Sequence, residues 1–149
     1  MTTAGTRVKL GANEKIYTEV AFSSLDKNLF SPLDDADNQG LGWKIGVQSE
    51  DRQIGLLKGY RFKGLTEFEY NSTNFNFIDR LRYVEFDRDW GLSPEKIQSA
   101  AAERFFLTQV GLEKDALNTF NYKLHLRNRE NVLSGSQHTA CLLYTSPSP

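Results

Sequence analysis

Apolar and polar residues alternate with a period of two along four stretches of this chain. Ile16, Thr18, Val20 and Phe22 share one side of a strand, with Tyr17, Glu19, Ala21 and Ser23 on the other. Leu41, Trp43, Ile45 and Val47 alternate with Gly42, Lys44, Gly46 and Gln48. From Tyr60 to Tyr70 the even positions carry Tyr60, Phe62, Phe68 and Tyr70, and the odd positions carry Arg61, Lys63, Glu67 and Glu69. Phe120, Tyr122, Leu124 and Leu126 repeat the rhythm. Side chains on a strand point alternately to its two faces, so each stretch predicts an antiparallel strand with one apolar side. The pattern predicts an all-β fold of up-and-down strands.

Two of these stretches, Lys15–Leu25 and Gly59–Asn71, are long for soluble sheets, whose strands usually run about 5–6 residues. They match the roughly 9–11 tilted residues that cross a bilayer. Aromatics at both ends of one face, Tyr60 and Phe62 against Phe68 and Tyr70, suit an interfacial girdle, although Gly64 and Thr66 between them are weakly apolar. The expected architecture is a partial block of a large outer-membrane β-barrel spanning residues 1–138. In it Lys44, Arg61, Lys63, Glu67 and Glu69 are the lumen-facing candidates, and Trp43, Ile45 and Val47 face lipid or a packed neighbour. An open set of such strands leaves unpaired edges, so the rest of a barrel is expected elsewhere.

Two interruptions break the rhythm. Ser93, Pro94 and Glu95 followed by Ala100–Ala102 predict one short helix between Ser93 and Arg104, with Ser93 at the cap and Pro94 in the first turn. The run Phe77–Trp90 is dense in charge. Read as a strand, it places Arg80, Arg82 and Arg88 with Val84, Phe86 and Trp90. Asp79, Glu85, Asp87 and Asp89 then share the opposite side with Leu81 and Tyr83. Such a segment suits a wet lumen or rim where neighbouring strands supply counter-charges. Residues 34–40 read as a long acidic turn and 113–118 as a tight hairpin turn.

Composition narrows the classes. The 149 residues carry 18 basic and 19 acidic side chains, a net charge of −1, which gives no broad field for nucleic acid. Mean hydropathy is −0.51, and no apolar run approaches the roughly 18 residues of a transmembrane helix. A transmembrane barrel is compatible with that value because its two faces average out. Met1–Thr6 lacks the features of a signal peptide, so the chain reads as cytoplasmic or as an interior piece of a longer one. The change of composition from Thr139, through Cys141 to Ser146-Pro147-Ser148-Pro149, favours the second. Residues 139–149 read as a non-native or unstructured tail resembling adaptor read-through.

Candidate chemistry is sparse. Asp35-Ala36-Asp37-Asn38-Gln39-Gly40 starts like a calcium loop, but Gly46 stands where a bidentate Glu is required. His125, His138 and Cys141 match no zinc spacing. The pairs Glu67/Glu69 and Asp87/Asp89, about 7 Å apart along a strand, read as solvated charge, since glycosidase carboxylates flank a cleft. Asn71-Ser72-Thr73 fits either a glycosylation acceptor or a turn. No catalytic, cofactor or metal residues are expected, and the chain does not read as an enzyme.

Three phrases carry a resemblance. The runs from Ala12 to Ser23, from Leu25 to Ser31, and Val84-Glu85-Phe86-Asp87-Arg88-Asp89-Trp90 resemble the gliding-motility cell-surface protein family SprA, or Sov, over roughly residues 11–92. The resemblance implies the outer-membrane translocon of type IX secretion. It further implies secreted protein cargo, a companion barrel (PorV), a periplasmic plug protein and a location in the outer membrane at the cell surface. Two other functions fit the pattern: a smaller outer-membrane porin or transporter, and a soluble β-sandwich binding module.

Overall fold

The computed structural model describes residues 1–25, 38–55, 59–77 and 82–145. They form one antiparallel sheet of seven strands, each paired with the next in sequence. The strands are β1 (Thr2–Lys9), β2 (Glu14–Ser24), β3 (Gln39–Gln53), β4 (Arg61–Asn71), β5 (Glu103–Asp115), β6 (Asn118–Arg129) and β7 (Leu133–Leu143). Two short helices, α1 (Phe86–Asp89) and α2 (Pro94–Gln98), lie in the β4–β5 connection. The protein is thus a small antiparallel β-sheet domain. The sheet is open among the described residues: β1 and β7 occupy opposite edges and do not pair with each other.

Local chemistry explains the connections. Between β5 and β6 the chain reverses through Ala116 and Leu117. There the Asp115 carboxylate accepts hydrogen bonds from the Leu117 amide at 2.9 Å and the Asn118 side chain at 2.8 Å. A register shift between Glu113 and Asp115 sets up that turn. β3 runs 15 residues because a second irregularity between Ser49 and Arg52, with Asp51 at φ 52°, absorbs extra chain without ending the ladder. Asn71 ends β4, and the turn follows from Ser72, whose hydroxyl accepts from the Leu41 amide at 2.8 Å and whose carbonyl accepts from the Phe75 amide at 3.0 Å.

The charge-rich run departs from its strand reading. Residues 82–85 are turn and bend, and Phe86–Asp89 are helical. Phe86 and Trp90, four apart, fit one side of a helix as well as one side of a strand, and packing decides between them. Both rings bury against Phe105 of β5, at centroid distances of 6.0 Å from Phe86 to Phe105 and 6.5 Å from Phe86 to Trp90. Gly91 stops the helix at φ +73°. Its amide bonds to the Arg88 carbonyl at 2.8 Å and the Leu92 amide to the Asp87 carbonyl at 3.0 Å, the paired closure that a glycine permits. The face assignment of Val84, Glu85, Phe86, Asp87, Arg88, Asp89 and Trp90 along a strand therefore does not hold, and the insertion contains two helices where one was expected.

α2 opens where the sequence predicts, with Pro94 after Ser93, whose carbonyl accepts from the Ile97 amide at 3.1 Å, but the Ser93 side chain makes no cap bond and the helix ends at Gln98, leaving Ala100–Ala102 outside it. Part of the stretch read as a non-native or unstructured tail at 139–149 is strand. Thr139–Leu143 continue β7 and pair with β6 as far as Thr119–Leu143. Asp34–Asp37 of the acidic turn, and Asp79, Arg80 and Leu81 of the charged run, lie outside the described residues.

The sheet's two faces differ. The buried apolar residues, Phe86, Trp90, Leu92, Ala102 and Phe105, all belong to the 82–102 segment or the strand beneath it. No second layer covers the other face among the described residues. There Trp43 is 37% exposed, Ile45 44% and Val47 45%, in company with Phe22, Phe120, Leu126 and Leu142.

Candidate functional site

Register brings the five charged candidates to one face. Lys44 stands opposite Glu69 and Gly46 opposite Glu67, and Arg61 and Lys63 follow at alternate positions on β4. They form two clusters. In the first, the Lys44 ammonium lies 3.5 Å from Glu69 and 3.7 Å from Glu67. Tyr17 donates its hydroxyl hydrogen bond to Glu67 at 2.5 Å, and Arg82 donates to Glu69 at 2.5 Å. In the second, Glu113 of β5 receives both Arg61 at 3.2 Å and Lys63 at 2.5 Å, with Asp51 4.0 Å from Lys63.

The first cluster is better covered than the apolar residues on the other side, whereas Arg61 and Lys63 of the second are 46% and 51% exposed. The side chains of Glu69, Glu67 and Lys44 are 13%, 21% and 31% exposed. Glycines make the room. A Cβ on Gly46 would sit 2.3 Å from the Tyr17 ring, so the ring lies across β3 where only glycine admits it.

The 82–102 segment folds onto this same face over β5, β6 and β7. Its anchor is Arg127 of β6, 2% exposed. The guanidinium donates to Asp87 of α1 at 2.6 Å and to Glu103 of β5 at 2.8 Å. Its Nε and Nη1 have no hydrogen-bond partner, and the group is instead enclosed by aromatic rings. The guanidinium carbon lies 4.8 Å from the centre of Phe86, 5.4 Å from Phe105 and 6.0 Å from Trp90. Trp90 packs over Gly135 of β7 and meets His125 edge-on at 5.2 Å. Arg129 donates to the carbonyls of Ile97 at 2.9 Å and Ser99 at 2.5 Å, and Gln137 donates to that of Asp89 at 3.1 Å.

Asp87 and Asp89 accordingly have separate partners. Asp87 pairs with Arg127, and Asp89 accepts from the Tyr83 hydroxyl at 2.6 Å, which holds that phenol above its ordinary pKa. Arg88 pairs with Glu85 at 2.8 Å on the solvent side. The residues that hold the site together, Tyr17, Arg82, Glu103, Glu113 and Arg127, include three, Glu103, Glu113 and Arg127, that their alternating positions alone did not mark. Their signal in the sequence was opposite charge at matching strand positions, legible only once the register was known.

A cavity of about 540 Å³ lies between this segment and the sheet, bordered by Arg82, Tyr83, Phe86, Asp87, Glu103 and Arg127. Each of its cations is already paired, Arg129 with Glu103 at 3.4 Å included. Among the described residues no helix is long and apolar enough to cross a membrane, which leaves strands unaddressed. No protein-family model, curated protein or solved structure matches the chain.

Proposed function

We propose that this sheet is a section of outer-membrane β-barrel wall, of the porin or transporter kind, with its apolar face toward lipid and its charged face toward water. The observation that carries the reading is the inverted coverage of the two faces where the middle of β3 meets β4. Trp43, Ile45 and Val47 lie open, while Lys44, Glu67 and Glu69 are half-buried among counter-charges. A soluble sheet gains stability by burying apolar area, about 25 cal/mol per Å², and leaves charge in water. Strands of 11 to 15 residues in β2–β7 add support, since they exceed what a thin soluble layer needs. On the water side, the 82–102 segment narrows the space over β5–β7 and contributes charge to whatever passes.

The narrower reading, a type IX translocon wall that meets secreted cargo, a PorV-type companion and a periplasmic plug, draws its support from the resemblance over residues 11–92. A soluble binding module remains the competing class, in which a second layer covers Trp43, Ile45 and Val47.

Single cysteines placed along β3 and β5 in a Cys141→Ser background, labelled with an environment-sensitive fluorophore and reconstituted in bilayers, test the wall. Quenching by a lipid-restricted agent is expected at Ile45, Val47, Phe106 and Thr108, and at none of Lys44, Gln48, Leu107 and Gln109. Equal quenching along both sets, or a monodisperse chain in buffer without detergent, overturns it.

A further inference from the structure

The β1 edge is charged in a way that nothing beside it answers. All eight residues of β1 are exposed, and one side of its backbone has no ladder partner among the described residues. Arg7 and Lys9 stand on the charged face, since Arg7 is opposite Tyr17 and Lys9 opposite Lys15. Neither forms an ion pair among the described residues. Arg7 lies over the Tyr17 ring at 5.9 Å, and Lys15 is taken by Glu50 at 3.0 Å. Lys44, Arg61, Lys63, Arg127 and Arg129 on the same face have acidic partners, and Lys123 of β6 is the other cation of that face with none among the described residues. Glu19, the nearest acid of β2, leans over Gly5 and pairs with neither.

The other edge cannot supply what is missing. β7 carries no acidic residue along Leu133–Leu143, and neither does β1. With seven strands in alternating directions, β1 and β7 also run the same way, so joining them would require a parallel pair. A second copy docked through β1 or β7 would leave Arg7 and Lys9 without acids.

We infer that the β1 edge binds an antiparallel strand of a partner polypeptide, amphipathic along its length, with Asp or Glu facing Arg7 and Lys9 and a neutral or basic residue facing Gly5, where Glu19 already stands. The backbone ladder supplies the attachment and the two acids fix its register. The inference rests on the membrane-wall reading only for the partner's apolar side, which would continue the surface of Val8 and Ile16.

The test is binding of labelled eight-residue peptides to the full chain in neutral detergent. One peptide alternates valine and threonine with polar positions and carries glutamate at the two sites meeting Lys9 and Arg7. A second carries lysine there, and a third moves the acids two positions toward Gly5. Cross-strand charge pairs predict that the first binds about tenfold more tightly than the other two, and that Arg7→Glu/Lys9→Glu reverses the preference between glutamate and lysine. The Arg7→Gln/Lys9→Gln protein, with sheet content checked by circular dichroism, should bind all three alike. Equal affinity of the unaltered chain for all three, no binding, or a dimer formed through β1 overturns the inference. Failure of lipid quenching at Ile45 leaves the charge preference intact, whereas loss of the preference in a lipid-quenched chain sinks only the partner.

Discussion

Arg127 on β6 and Asp87 on α1 meet at 2.6 Å, and this ion pair joins the sheet to the segment folded across it. Arg127 is almost wholly buried, so losing it leaves Asp87 without its partner beside apolar rings, while Glu103 keeps only the longer contact to Arg129 at 3.4 Å. Removing one partner of a buried pair typically costs about 3–5 kcal/mol. Arg127→Met should destabilise the chain by about 3 kcal/mol in denaturant unfolding. It should also open residues 82–102 to protease before the strands yield. Asp87→Asn should cost less, because Glu103 still holds the guanidinium at 2.8 Å. The double variant should fall short of the sum, since the two residues share one interaction.

Gly46 and Tyr17 offer a test of the first charged cluster. A methyl group at residue 46 would overlap the Tyr17 ring, which must then move and give up its hydrogen bond to Glu67. Gly46→Ala should cost about 1–3 kcal/mol, as overpacking does. Tyr17→Ser should suppress most of that penalty by vacating the space. A Gly46→Ala protein as stable as the unaltered chain would show that the ring is not seated over β3.

The alternation along β2, β3, β4 and β6 was legible in the sequence because each of those strands has one apolar side. β5 was hidden by Phe105-Phe106-Leu107, where an apolar run breaks the period: Phe105 lies under α1 while Phe106 lies on the open face. β1 has too few apolar residues to declare itself. The side shared by Lys44, Arg61, Lys63, Glu67 and Glu69 followed from parity alone. Arg127 and Glu103 could not be found that way, because their importance comes from a segment that crosses the sheet. Local spacing could not choose strand or helix for Phe86–Trp90; contacts of Phe86 with Phe105 and Arg127 made that choice.

Tyr83 and Asp89 give the folded segment a signature in alkaline solution. The hydrogen bond to Asp89 raises the phenol's pKa above its ordinary value near 10. A pKa raised on folding contributes stability that is present below the unfolded value and is lost as pH rises through the folded one. Ultraviolet difference titration of the unaltered chain against Tyr83→Phe should show this phenol ionising late. Asp89→Asn should bring it back toward the ordinary range. A normal titration in the unaltered chain would mean that Tyr83 does not hold its bond to Asp89 in solution.

Ile45 separates the membrane wall from an uncovered soluble sheet. Its side chain is 44% exposed and lies between the Trp43–Phe68 aromatic pair, 5.2 Å apart, and Val47. In water, a lysine at such a position reaches solvent and costs little, within about 0.5 kcal/mol for a surface substitution. Facing the middle of a bilayer, the same lysine costs about 2–4 kcal/mol. Ile45→Lys should therefore lower stability by about 3 kcal/mol in reconstituted bilayers, measured by denaturant unfolding in lipid. Lys44→Gln, one residue away on the charged face, should cost about 1 kcal/mol or less, because its pairs with Glu67 and Glu69 are part-exposed and 3.5–3.7 Å long. If Ile45→Lys is as mild as Lys44→Gln in lipid, the face carrying Trp43, Ile45 and Val47 does not meet hydrocarbon, and the covering layer of a soluble module becomes the better account of it.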